Sequence, residues 1–375
     1  MKANVLVTAV GGIVGQGLLK CLNYSNKAGN SPVKYVIIGA DMTPTAAGIY
    51  RSNVGIILPS ARSAAGEDEY LDAIISLCKH RDIEAIFVGS DTELVVLAKS
   101  RQRVESESGA KLLIAPLDVI SIGRDKWKTY EFCKANQIPY VESCLPDDKD
   151  EFVREFGFPL VVKPREGYGS VHYYLVNNRE QVEKAISVIQ AEGWHPLIQR
   201  YVEGTNSSPY QVIERSWEFT TGVTVDTKGE KVMSSVSINK VLKGGQTYKA
   251  LVDDFPIVRK SAESTALRLK AAGSINIQAK LEGDSPLIFE INPRFSATCP
   301  IRAVAGVNEP DIIFRNALNN ENIAIGTYRK LVCMRYLNEV YVPYSIYQEI
   351  ESTGELDRQA KSEVGNESSF IVDYF

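Results

Sequence analysis

Histidine is nearly missing from this chain: His80, His172 and His195 are the only three in 375 residues, and they lie far apart. The six cysteines (Cys21, Cys78, Cys133, Cys144, Cys299 and Cys333) include no CxxC pair. Zinc coordination, a disulfide framework and a Ser-His-Asp relay are therefore not expected, and reduced thiols in the cytoplasm are. Lysine and arginine never run beyond two in a row, and 42 basic residues against 46 acidic ones leave a net charge of −4. A basic nucleic-acid surface does not fit that balance. No apolar stretch nears the ~20 residues that span a bilayer. The first apolar run meets a glycine loop too early for a signal peptide. Internal repeats and low-complexity tracts are missing too. The expected protein is soluble and cytoplasmic, with no membrane or nucleic-acid partner.

What is present is an ordinary globular composition, 44% hydrophobic and 23% charged. At roughly 150 residues per domain the length suits two or three units. Short apolar runs at 4–9, 34–39, 54–58, 85–88 and 111–115 alternate with helical spacing at 13–22 and 67–79. A further helix opens at Ser90–Asp91, with Ser90 and Glu93 placed as a capping box. This alternation predicts a parallel, doubly wound sheet over residues 1–115. After Pro116 a helix at 126–136 leads into longer strands at 159–164, 171–176, 196–202, 217–225, 230–240, 273–281 and 286–292. Helices are expected there only near 148–156, 178–191 and 256–272. That pattern predicts an α+β domain over 116–326, with one lobe at about 140–200. An extension over 327–375 begins with a strand at 331–338.

Four motifs could carry chemistry. The loop Val10-Gly11-Gly12-Ile13-Val14-Gly15, with Asp41 ending the second strand, is half of a dinucleotide fingerprint, but its first glycine is replaced by Val10. The stretch VVKPREGYGS at 161–170 ends a strand on Lys163 and returns through Gly167, Gly169 and Ser170. It is either a phosphate-binding loop above a lysine point charge or a glycine-rich hairpin. In IQRYVEG at 198–204, the Arg200 carbonyl and the Val202 N–H could hold a nucleotide base.

The fourth is the sharpest. A hairpin turn centred on Asp284 places Gln278 opposite Glu290 and Asn276 opposite Asn292, all on one face. Burying such groups without partners costs about 1–3 kcal/mol each. Either a hydrogen-bonded network or a hard divalent cation answers that cost, and Mg²⁺ carrying triphosphate is the usual occupant. Arg294 follows on the same face with a fork suited to phosphate.

In chain order, Asp125-Lys126, VVKPREGYGS, IQRYVEG, GSINIQ and FEINPR resemble the ATP-grasp superfamily, most closely carboxylate–amine ligases related to the carbamoyl-phosphate synthase large subunit. The resemblance covers most of residues 1–320. It implies an α/β Rossmann-like N-terminal domain followed by an α+β ATP-grasp domain whose two lobes grip ATP. It makes Lys126 and Lys163 phosphate-binding cations and the 165–170 loop the lid over the phosphates. Gln199, Arg200 and Val202 fall on the adenine segment, and Glu218, with Glu203 as the alternative, on the ribose ligand. Gln278, Glu290 and Asn292 match the ligands of Mg²⁺ (or Mn²⁺). Arg294 matches the arginine on the transferred phosphoryl group. Lys240 and Arg302 offer further cations toward the acceptor. The chain departs from the synthase pattern at Ala297, where an arginine stands, and at Gln246, where a histidine stands. Carbamoyl phosphate is therefore not the expected product.

The activity implied is ATP-dependent joining of a small-molecule carboxylate to an amine through an acyl phosphate, with a homodimer as the default state. A nicotinamide-dependent oxidoreductase using Asp41, or a silent ATP-binding regulatory protein, is the alternative.

Overall fold

The computed structural model describes residues 1–62, 64–167, 169, 171–204, 212–358 and 372–373. The N-terminal unit holds strands β1 (Lys2–Val7), β2 (Lys34–Asp41), β3 (Val54–Ile57), β4 (Ala85–Phe87) and β5 (Lys111–Leu112). Helices α1 (Ile13–Ala28), α2 (Ala64–His80), α3 (Asp91–Lys99) and α4 (Arg101–Ser108) connect them. The five strands pair in parallel in the order β3-β2-β1-β4-β5, the expected doubly wound sheet. The chain order reverses between β1 and β4, so a crevice opens at the carboxyl ends of those two strands.

The glycines of the first loop are packing devices. A Cβ on Gly15 would sit 2.2 Å from the Ala9 carbonyl oxygen, so α1 can approach β1 only with glycine there. Asp41 is engaged in the same loop: its carboxylate accepts from the Gly11 and Met42 N–H groups, each at 2.8 Å. Ser90 caps α3 through the Thr92 and Glu93 N–H groups, but the capping box is only half built. The Glu93 carboxylate instead accepts from the Thr8 hydroxyl at 2.7 Å, inside the crevice.

Helices α5 (Leu117–Arg124) and α6 (Lys126–Ala135) lead into a small sheet of β6 (Ser143–Cys144), β7 (Leu160–Pro164), β8 (Tyr174–Val176) and β9 (Pro196–Arg200). Its order is β6-β9-β7-β8, flanked by α7 (Lys149–Phe156) and α8 (Arg179–Ala191). This lobe has its own core of Phe152, Leu160, Val162, Val182, Ile186 and Ile198. The larger sheet follows: β10 (Glu218–Val225), β11 (Val232–Lys243), β12 (Gln246–Val252), β13 (Gly273–Glu282), β14 (Ser285–Asn292) and β15 (Leu331–Met334), in the order β14-β13-β10-β11-β12-β15. Helix α9 (Pro256–Arg268) covers one face. The core under it is continuous with that of the first sheet, joining Leu6 and Ile86 to Val223, Ile275 and Ile291.

Two helices not expected from the sequence, α10 (Cys299–Ala305) and α11 (Glu309–Asn319), follow β14. Pro300 and Pro310 sit in their first turns, where proline starts a helix rather than breaking one. The last segment is tied into both sheets. β15 edges the larger one; beyond it come β16 (Val340–Tyr341) and α12 (Tyr344–Thr353), and β17 (Glu355–Asp357) pairs antiparallel with β3. A short β18 (Val372–Asp373) pairs with β16. Among the described residues no helix is long and apolar enough to cross a membrane.

Candidate active site

The β13–β14 hairpin builds the centre. Its turn is two residues long, Gly283–Asp284, because Glu282 pairs with Ser285, so it is not centred on Asp284. Gly283 takes the left-handed backbone that such a turn requires, with φ of 61°. Left alone, that register would misalign the polar residues by one. A bulge at Phe289 restores it, and Gln278 pairs with Glu290 and Asn276 with Asn292 as expected. The bulge is held from α6 and its following loop, since the Tyr140 hydroxyl donates to the Phe289 carbonyl at 3.2 Å.

Strand parity then places Glu290, Gln278, Lys280, Thr220, Glu218 and Lys240 on one face. The Gln278 amide donates to Glu290, and Lys240 donates to the Gln278 oxygen while pairing with Glu218 at 2.9 Å. Asn276 accepts from Thr220 and so sits in a network with it, at 2.7 Å.

Other elements bring cations to this face. Asp125 caps α6 through the Trp127 and Lys128 N–H groups, which fixes Lys126 at the first helical position. Its ammonium lies 3.8 Å from Glu290 and donates to the Arg165 and Gly167 carbonyls at 3.4 Å. Lys163, at the end of β7, donates to Gln199 at 2.7 Å and lies 5.8 Å above the Phe289 ring. Arg294 leaves β14 to meet Asp91 at 2.9 Å and Asn292 at 3.2 Å. Lys126, Lys163 and Lys240 are 8%, 7% and 5% exposed.

Electrostatics follow from this crowding. Burial opposes charge on Glu290, yet Lys126, Lys163, Lys240 and Arg294 together hold its carboxyl below the usual range. Burial, then repulsion from Lys126, brings Lys163 down to about 7. Lys280 is also lowered by burial. Lys126, Lys163, Lys240, Lys280 and Arg294 gather here against the three carboxylates of Glu290, Glu218 and Asp91, an arrangement short of negative charge.

The remaining expected residues lie around this centre. Gly169 approaches the larger sheet, since a Cβ on Gly245 would meet its carbonyl oxygen at 2.5 Å, while Gly167 lies by Pro164 and accepts from Lys126. Ser170 lies outside the described residues, as do 205–211 of the segment before Trp217. The Arg200 guanidinium points away from the centre, to Glu142 and Glu282, both at 2.7 Å. The Val202 carbonyl accepts from Lys280 at 2.8 Å. Glu203 is exposed, whereas Glu218 is held inside by Lys240.

Arg302 is not an acceptor-side cation. It is fully buried against Glu309, Thr298 and Ser296, in space that Gly222 leaves open by lacking a Cβ. Removing its charge strands Glu309, so Arg302→Met is expected to lose about 3–5 kcal/mol of stability in chemical denaturation. Substrate KM values are expected to stay unchanged.

Against known proteins, residues 123–298 match the ATP-grasp domain family, and residues 6–113 match the family described as PylC-like, N-terminal domain. The chain carries an ATP-grasp domain. Sequence relatives include the carbamoyl phosphate synthase large chain of Clostridium acetobutylicum, 25% identical over 249 residues, covering 64% of this chain and 22% of that one. The carbamoyl-phosphate synthase of Methanobrevibacter smithii is 24% identical over 241 residues, covering 62% and 63%. The chain thus spans less than two thirds of the length of these relatives.

Solved structures share the fold. N5-carboxyaminoimidazole synthetase from Staphylococcus aureus, complexed with ADP, superposes with a TM-score of 0.66 at 15% identity, covering 89% of this chain and 82% of that one. The biotin carboxylase domain dimer of Hydrogenobacter thermophilus 2-oxoglutarate carboxylase, in complex with MgADP, ADP and bicarbonate, gives 0.62 at 18% identity, covering 86% and 71%. Both are likenesses of fold.

Two residues of this cluster were not foreseen. Lys280 was within reach, because it follows Gln278 by two on the same strand. Asp91 was not: its partner Arg294 lies 203 residues away, and nothing local marks the pairing.

Proposed function

We propose that this chain is an ATP-dependent ligase joining a carboxylate to an amine through an acyl phosphate, with release of ADP and phosphate. The observation that carries this is the surplus of cations around Glu290, which a polyphosphate complements. Lys126 and Lys163 would neutralise the phosphates, and Arg294 would meet the transferred group. Lys240, tethered to Glu218 and Gln278, would face the acceptor. Arg200 and Val202 would receive adenine through backbone groups, and Glu218 the ribose.

Gln278, Glu290 and Asn292 supply one carboxylate and two amide oxygens, a hard donor set that fits Mg²⁺ or Mn²⁺ when phosphates complete the shell. Among the described residues no group of three His, Cys, Asp or Glu competes for a metal. The cation supplies charge neutralisation on the phosphates when bound. Charge stabilisation and exclusion of water do the rest, since water would hydrolyse the acyl phosphate. Six free cysteines suit a reducing, cytoplasmic setting.

ADP release across a matrix of carboxylic acids and amines, with hydroxylamine added to trap acyl phosphate as hydroxamate, tests this reading. Acid-dependent ADP and hydroxamate are expected. Tight ATP binding with no release for any pair would favour a silent binding protein; binding of NADH instead of ATP would favour the oxidoreductase.

A proton count tests the charge argument. Free Lys163, at about 7, is mostly neutral at pH 8, and a bound polyphosphate favours its charged form. MgATP binding at pH 8 is therefore expected to take up close to one proton, and affinity is expected to fall as pH rises above 7. Calorimetry in buffers of different ionisation enthalpy reads the number directly.

A further inference from the structure

Arg335 differs from the other guanidiniums of the interior. Arg294 is paired with Asp91, Arg302 with Glu309, Arg165 with Asp125 and Arg315 with Asp311. Arg335 is half-buried, and among the described residues no carboxylate pairs with it. Its neighbours are the Ala297 carbonyl, to which it donates, and Cys333. Burial disfavours its charge, and no carboxylate among the described residues offsets the cost.

Register places it. Lys240 pairs with Ala250, and Ala250 with Cys333, so the three side chains share one face of the sheet. Arg335 follows Cys333 by two, and its N–H continues the ladder to the Tyr248 carbonyl at 2.9 Å. It therefore stands over the face that carries Gln278, Glu290 and Lys240. Its guanidinium reaches the loop three residues beyond Arg294, where Ala297 presents only a methyl group.

We propose that Arg335 is the anchor for the carboxylate of the acid substrate, held between Lys240 and the Arg294 loop. This rests on the ligase reading above. A planar fork with donors to spare, partly desolvated and with no acidic partner among the described residues, is the geometry that recognises a carboxylate. The strand that delivers it comes from the chain's last segment, so that segment takes part in the acceptor site.

The test uses the full chain loaded with MgADP and treated with phenylglyoxal, the modified arginines being located by peptide mass spectrometry. Formate, acetate, glycine, L-aspartate, succinate and bicarbonate are the probes. At least one is expected to slow modification of Arg335 about tenfold while leaving exposed Arg154 unaffected. For that acid, Arg335→Met is expected to raise KM roughly 10- to 100-fold, the loss typical of a charged hydrogen bond, with the KM for ATP unchanged. Arg335→Lys is expected to recover part of it. No protection by any probe, or an acid KM within twofold of wild type in Arg335→Met, overturns the anchor. A rise in both KM values together, with a lowered melting temperature, would show a merely structural role and also overturn it. Failure of the wild-type chain to bind MgATP would count against the ligase reading instead.

Discussion

Glu290→Ala is expected to lower ATP turnover on the order of 10³-fold or more, because charge neutralisation at the phosphates is lost with the only carboxylate of the donor set. The sign of the effect on binding separates two roles for this residue. Glu290 repels a bare triphosphate, and its removal takes one carboxylate from the field of Lys126, Lys163, Lys240 and Arg294, of which Lys240 and Arg294 keep Glu218 and Asp91. Metal-free ATP is therefore expected to bind the variant as well as the wild type, or better. MgATP is expected to lose its advantage over ATP. Glu290→Gln, which keeps the shape and the bond to Gln278, guards against reading a folding defect as a lost ligand. Near-normal rates in either variant would remove the metal role. Dialysis binding with and without Mg²⁺, alongside an ADP assay, provides both readouts.

Lys163→Met carries the second large expected effect. The methionine keeps an aliphatic stem of similar length and removes only the ammonium, which lies 5.8 Å above the Phe289 ring. A charge-assisted bond to phosphate is worth about 1.5–3 kcal/mol, so the KM for ATP is expected to rise roughly 10- to 100-fold. The rate is expected to fall with it, since charge builds on the transferring group. Stability is expected to rise slightly, because a buried ammonium already lowered to about 7 is costly to keep. A variant with unchanged ATP dependence would show that Lys163 serves only its bond to Gln199.

The parts of the fold that were legible rest on short-range periodicity. Alternation of apolar runs with helical spacing marked the parallel sheet, and period-two polarity at Glu290 and Asn292 marked one face of a strand. The hairpin shows where such reasoning succeeds for an incomplete reason. The pairing of Gln278 with Glu290 was foreseen from a turn centre that is off by half a residue, and the bulge at Phe289 corrects the register. Bulges answer to tertiary contacts, here Tyr140, and leave little trace in sequence.

Helices α10 and α11 were not foreseen; each is short and starts on a proline, Pro300 and Pro310, so local periodicity marks them weakly. The Arg294–Asp91 pair joins segments 203 residues apart. Arg335 reaches its place only because β15 adds to the sheet edge. Long-range side-chain placement of this kind depends on topology, which local pattern does not encode. Arg302 is the opposite lesson: a cation beside functional residues in sequence is spent on Glu309 in the interior.

The most direct measurement is a crystal structure of the full chain with Mg²⁺ and a non-hydrolysable ATP analogue. The expected result is triphosphate density between Lys126, Lys163 and Arg294, with a cation bridging it to Glu290, Gln278 and Asn292. A nucleotide bound elsewhere, or that face empty at saturating analogue with its side chains still bonded to one another, would contradict an ATP site on the β13–β14 hairpin.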